Sequence, residues 1–109
     1  MLMHKELSDK ILGAFYEVYN HLGYGFLERV YQNALFFELK EKGLEVVAQQ
    51  RCPVFYKGRE VGEYFSDIIV NEVIIIELKA CTSIVGGHIS QLQNYLKASE
   101  IEVGYILNF

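Results

Sequence analysis

Only two cysteines, one proline and three histidines occur among the 109 residues of this chain, and each scarcity excludes something. Cys52 and Cys81 are too few for the disulfide framework of a small secreted domain. Both are expected to be reduced and buried, because free cysteine behaves as a small hydrophobe. His4, His21 and His88 have no ligand spacing among themselves or with the cysteines, which argues against a zinc site. No apolar run approaches the roughly 18 residues of a membrane span; Val73–Ile76 is only of strand length. The opening Met-Leu-Met-His-Lys-Glu has no basic region leading into an apolar stretch. No signal peptide is therefore expected, and the chain is read as cytoplasmic. Low-complexity tracts, linkers and internal repeats are missing, so one domain over residues 1–109 is expected. An excess of basic charge is missing as well, since the net charge is −4. Proteins that grip nucleic acid through many phosphate contacts are usually basic. Such charge points to weak or partner-assisted binding, and it still leaves room for a carboxylate site.

What is present is apolar and aromatic. Hydrophobic residues make up 51% of the chain, with eight Tyr and seven Phe, a globular composition. Leu7, Ile11, Phe15, Val18 and Leu22 recur at helical spacing, with Leu12 and Tyr19 beside them, and Gly23-Tyr24-Gly25 ends that helix. A second helix is expected over 27–42, with Leu27, Val30, Tyr31, Ala34, Leu35 and Leu39 as its inner stripe and Gly43 as its stop. From 44 to 80 the chain turns rich in Val, Ile, Phe and Tyr. Three strands are expected, over 45–56, 60–70 and 73–80, joined at Lys57-Gly58 and at Asn71-Glu72. Pro53 implies an edge strand or a bulge. Val73-Ile74-Ile75-Ile76 is apolar without alternation, as in a strand covered on both faces. A third helix over 88–98 turns Ile89, Leu92, Tyr95 and Leu96 inward. A last strand over 102–109 is far enough from the third to pair with it in parallel. The class is α/β: helix, helix, three-strand meander, helix, strand.

Glu77 and Lys79 are charged residues closing an otherwise apolar strand. At i and i+2 they share one face. Burying a carboxylate and an ammonium is costly unless each has a partner or a task. Asp67 lies across the hairpin, and register decides whether it joins them. A two-residue turn at Asn71-Glu72 pairs Val70 with Val73 and puts Asp67 opposite Ile76. A three-residue connection, or a one-residue bulge, pairs Val70 with Ile74 and puts Asp67 opposite Glu77. A working cluster thus requires one odd residue in the hairpin. Mg²⁺ takes oxygen ligands and is commonly held by one or two carboxylates plus substrate phosphate. It polarises a phosphoryl group and lowers the pKa of a bound water, while a lysine orients that water or stabilises developing charge. On spacing alone two readings stay open: a phosphodiester-hydrolysing site, or a buried ion pair of Lys79 with Glu77 or Asp67.

Asp67, nine residues, then Glu77-Leu78-Lys79 resembles the signature of the PD-(D/E)XK nuclease superfamily, and the element order matches that superfamily's restriction-endonuclease-like core with an extra N-terminal helix. Gly25-Phe26-Leu27-Glu28-Arg29-Val30-Tyr31 reads as GxxExxY. It resembles the small bacterial and archaeal family named for that motif. The resemblance runs from about Leu22 to Phe109, and it implies a further C-terminal piece beyond the last strand. It also implies that Mg²⁺ or Mn²⁺ is bound by Asp67 and Glu77, with Glu28 as a further carboxylate, and that Lys79 assists the attacking water. Glu28 is otherwise a first-turn glutamate favoured by the helix dipole. Tyr31, at i+3 from it, either holds Glu28 or belongs to the core. Gln91-Leu92-Gln93-Asn94-Tyr95 resembles a QxxxY pattern found in some branches of the superfamily. It would set Gln91 near the metal with Tyr95 in support; the other reading of Gln91 is an ordinary polar helix position. His88 at that helix start reads as a solvated helix end or a phosphate contact.

The implied substrate is DNA or RNA. Arg51, Lys57, Arg59 and Lys97 are scattered and form no aromatic-basic platform. Tyr24 and Phe26 flank the glycine break, as base-stacking, core or partner-contact residues. Two rival functions remain: a non-catalytic module that pairs with another protein or with itself as a homodimer, and a small-molecule phosphohydrolase.

Overall fold

The structure, a computed structural model, describes residues 4–109; the first three positions of the opening segment read above lie outside the described residues. Helical periodicity produces α1 (Lys5–Leu22) and α2 (Glu28–Glu41). The alternating segment produces β1 (Val46–Tyr56), β2 (Arg59–Val70) and β3 (Ile74–Lys79). Helix α3 (Gly86–Ser99) then returns the chain to β4 (Val103–Asn108). The four strands form one sheet in the order β1-β2-β3-β4. The meander is antiparallel, and β4 runs parallel to β3. The mixed α/β architecture read from the sequence is the observed one.

Two apolar layers hold the sheet. On one side Ile11, Ala14 and Val18 of α1 and Tyr31, Leu35 and Leu39 of α2 pack with Ile68, Val70, Ile74, Ile76, Leu78 and Leu107. On the other, Ile69, Ile75 and Leu92 form a smaller cluster, with Leu96, Ile101 and Ile106 against it. Each fully buried aliphatic side chain contributes roughly 1.5–3 kcal/mol. Alternation along β3 therefore sends its even positions under α1 and α2 and its odd positions toward α3. Gly104 permits the close approach of α3, since a Cβ there would lie 2.9 Å from Leu92 Cδ1.

Three expected inward positions are exposed. Leu27 is 79% and Ile89 50% accessible, and Val30 also faces out. Each lies in the first turn of its helix or just before it. Cys52 is buried, but Cys81 is exposed, which corrects the expectation that both would be covered. Cys81 follows the end of β3 in an irregular stretch with no layer above it, and its thiol donates to the Ser83 carbonyl at 3.2 Å.

The β1–β2 turn uses Lys57 (φ 49°) and Gly58 (φ 80°), the left-handed pair that suits a twisted hairpin. Pro53 lies on β1, an edge strand, as its missing N–H demands. The β2–β3 turn is more unusual. Asn71 and Glu72 have φ of 49° and 61°, and the Val73 N–H donates to the Val70 carbonyl at 3.0 Å. The ladder nevertheless pairs Val70 with Ile74, leaving Val73 as an extra residue. This is a two-residue left-handed turn plus a one-residue bulge. The Asn71 carboxamide oxygen accepts the Glu45 N–H at 2.8 Å, and the Asn71 main-chain N–H donates to the Glu45 carbonyl. Asparagine tolerates this backbone better than most residues.

Asn71→Ala is expected to destabilise the fold by about 2 kcal/mol, through left-handed strain and loss of the bond to Glu45. Asn71→Gly should cost roughly half as much. Urea unfolding would read this as a lower midpoint at unchanged slope.

Candidate active site

The bulge at Val73 decides where the charged residues meet. Pairs Ile68↔Ile76, Ile69↔Ile75 and Val70↔Ile74 fix the register, and one step further brings Asp67 opposite Glu77. The odd residue that the chemistry required is present. At Asp67 the regular ladder gives way to side-chain bonding, because the Leu78 N–H donates to Asp67 Oδ2 at 2.8 Å. The other side of β2 is irregular at the same level. Ala48↔Ile68 and Gln50↔Ser66 pair normally, but Gln49 between them adopts a left-handed φ of 54°. Its side chain reaches Gln32 Oε1 on α2 at 3.0 Å. Asp67 thus occupies a place where both neighbouring strands depart from ladder geometry. No periodicity in the sequence marks Gln49 for this.

Glu77 is the most perturbed group. It is 8% exposed, and its Oε1 is buried with no hydrogen-bond partner among the described residues. Burial first, and then the nearby charge of Asp67, push its pKa up to about 8, while Lys79 opposes the shift. A buried carboxylate beside a second carboxylate, with an unsatisfied oxygen, is expensive by itself. Lys79 is half-buried and forms no ion pair with either carboxylate among the described residues. The buried ion pair that the spacing left open is therefore not what the structure holds. Two converging carboxylates, one with a free buried oxygen, fit a hard divalent cation that completes its shell with water or phosphate.

Tyr95 approaches from α3. Burial, followed by the charges of Glu77 and Asp67, raises its pKa. Its ring stacks on Tyr64 with centroids 3.8 Å apart and 5° between planes, and the Tyr64 hydroxyl donates to the Tyr95 carbonyl at 2.8 Å. Tyr64 was not legible as part of this neighbourhood, because it looks like any other strand aromatic. Gln91 lies one turn earlier on α3, exposed.

The remaining expected residues lie elsewhere. Glu28 begins α2 and is exposed. No group of three or more His, Cys, Asp or Glu that could hold a metal forms among the described residues. Glu28 therefore does not join Asp67 and Glu77 in one group here. Tyr31 does not hold Glu28. It is fully buried, its hydroxyl donates to the Gly23 carbonyl at 2.6 Å and accepts the Phe26 N–H at 3.3 Å, and its ring stacks on Phe109. Its task is to clamp the α1–α2 loop to the core. His88 turns back on its own helix start, where its Nδ1 accepts the Val85 N–H at 3.2 Å. Arg51 is engaged with Glu60 at 2.6 Å and with Glu63.

The profile of the PD-(D/E)XK nuclease superfamily matches residues 5–109. No curated protein and no solved structure gives a match.

The raised pKa of Glu77 carries a sign. Above pH 4.5 the unfolded chain releases this proton while the metal-free fold retains it up to about 8. Stability supplied by the protonated form is complete below pH 4.5 and falls as pH rises toward 8, by a few kcal/mol at most. Denaturant midpoints of metal-free protein across that window should fall with pH, and Glu77→Gln should flatten the slope. A wild-type profile that is already flat would contradict the raised pKa.

Proposed function

This chain belongs to the PD-(D/E)XK nuclease superfamily, and from that premise we propose that it is a divalent-metal-dependent nuclease hydrolysing phosphodiester bonds in DNA or RNA. The observation that carries this reading is the buried, unpartnered Oε1 of Glu77 on the strand position opposite Asp67. Within the superfamily, the GxxExxY family is the proposed branch, on Gly25, Glu28 and Tyr31. Asp67 and Glu77 would hold Mg²⁺ or Mn²⁺. When bound, such an ion polarises the phosphoryl group and lowers the pKa of a water.

The other roles belong to the chain's own side chains. The main-chain N–H of Leu78 fixes Asp67, so this carboxylate keeps its orientation without a neighbouring cation. Lys79, not tied into an ion pair among the described residues, would orient the attacking water or meet the charge that builds on the phosphoryl oxygens. Gln91, exposed one helical turn from Tyr95, would contact substrate phosphate. Glu28 is proposed to remain outside the ligand pair in this conformation and to face substrate or solvent. The two free thiols suit a cytoplasmic setting. Exposed Tyr24, Leu27 and Phe37 near and on α2 support a second reading, a partner-binding module that keeps the nuclease fold.

Cleavage of labelled single-stranded DNA, duplex DNA and RNA separates the two. With Mg²⁺ or Mn²⁺, wild-type protein should cut at least one polymer. Glu77→Gln should abolish cutting, and Lys79→Ala should reduce it on the order of 10²-fold, all with unchanged circular dichroism. A folded wild type that cuts nothing at high enzyme concentration would shift the assignment to the module.

A further inference from the structure

A groove of about 760 Å³ lies between the end of the β1–β2 ribbon and α3, lined among others by Phe55, Glu63, Tyr64, Asn94, Tyr95 and Lys97. It is of the size that takes a drug-sized ligand, and its lining combines aromatic faces with a few polar groups. It shares Tyr95 with the neighbourhood of the carboxylates. Tyr95 lines the groove and also lies close enough to Glu77 and Asp67 to feel their charges. Tyr64 precedes Asp67 by three residues on β2, about 10 Å along a strand. A polymer strand whose phosphate rests at the carboxylates would therefore lay a nucleotide a few positions away over this groove, since Phe55 pairs with Glu60, seven residues from Asp67 along β2.

We propose that the groove is a nucleobase subsite, and that the substrate is a single-stranded nucleic acid whose unpaired base enters it beside Phe55 and Tyr95. The proposal rests on the nuclease reading for its context. Phe55 is 62% exposed and presents a free aromatic face. The Tyr64–Tyr95 stack makes the opposite wall rigid. The Asn94 carboxamide offers both a donor and an acceptor to a base edge, and the Lys97 ammonium suits the adjoining phosphate. Glu63 is neutralised by Arg51. A base in a duplex is stacked and paired and cannot enter. Charge favours the single strand as well. With a net charge of −4, and with Arg51 engaged by Glu60 and Glu63, the chain offers no excess of positive charge to hold a duplex backbone. Stacking does not need it, and each stacked base contributes about 1–3 kcal/mol.

The test is binding in Ca²⁺, followed by fluorescence anisotropy of labelled oligonucleotides of one length: single-stranded DNA, single-stranded RNA, duplex DNA, and a single strand carrying abasic sites. Wild type should prefer a single strand of either polymer to duplex by at least tenfold and should bind the abasic strand at least tenfold more weakly. Phe55→Ala should weaken single-strand binding by roughly 5- to 100-fold, and Asn94→Ala should alter the preference among bases. Equal affinity for duplex, indifference to abasic sites, or unchanged binding by Phe55→Ala would each overturn the subsite. So would a Phe55-dependent dimer in sedimentation with no oligonucleotide binding. Cleavage in Mg²⁺ or Mn²⁺ is scored separately. Strands bound but never cut would leave the subsite standing and overturn the nuclease reading. Strands cut equally well by Phe55→Ala, abasic or not, would do the reverse.

Discussion

One extra residue in a turn governs this molecule. Val73 is bulged out of the β2–β3 connection, and it shifts the pairing of β3 against β2 by a single position. Because side chains alternate faces along a strand, a shift of one residue exchanges everything on both sides. Without it Ile76 would face Asp67, and Glu77 would turn into the layer under α1 and α2. With it, the apolar even positions of β3 enter that layer and the two carboxylates meet on the α3 side. The core and the site are therefore set by the same local irregularity. Neither can be moved without the other.

The site this produces is unfavourable as a piece of protein. Two carboxylates converge, one is buried, and one of its oxygens has no donor. Packing elsewhere must offset that cost, and the fully buried Ile and Leu residues of both layers are where it is offset. The same logic explains the backbone around Asp67. A ladder that stayed regular on both sides would spend the strands' donors on carbonyls. Here the Leu78 N–H is left for a side chain, and the left-handed Gln49 opens the opposite flank.

Much of this was readable from residue order. The helical stripes of Ile11 and Val18 and of Leu35 and Leu39, the apolar run before Glu77 and the glycine-marked turns define the elements, because burial imposes a period on sequence. Even the bulge was implied, since only an odd residue lets Asp67 face Glu77. What was not readable depends on neighbours in space. Leu27, Val30 and Ile89 follow helical spacing yet face solvent. Cys81 looks like a buried cysteine until the end of β3 leaves it uncovered. Tyr31 shares a motif with Glu28 but serves the Gly23–Phe26 loop, and Glu28 begins a helix on the opposite layer from α3. Gln49 and Tyr64 carry no chemical signal at all. Their importance comes from the strand and helix that happen to lie beside them.

The outer strand of the meander has a consequence for how copies of the chain meet. β1 is an eleven-residue edge, long enough to template another chain's strand and seed a growing ribbon. It is interrupted at three levels. Gln49 breaks the extended backbone, Arg51 carries charge, and Pro53 removes a donor. The register slip at Val54 and Phe55 twists what is left. The longest straight run available to a foreign strand is only a few residues, so this edge resists open-ended polymerisation although the ribbon beside it displays Phe55, Tyr56, Val61 and Phe65 to solvent.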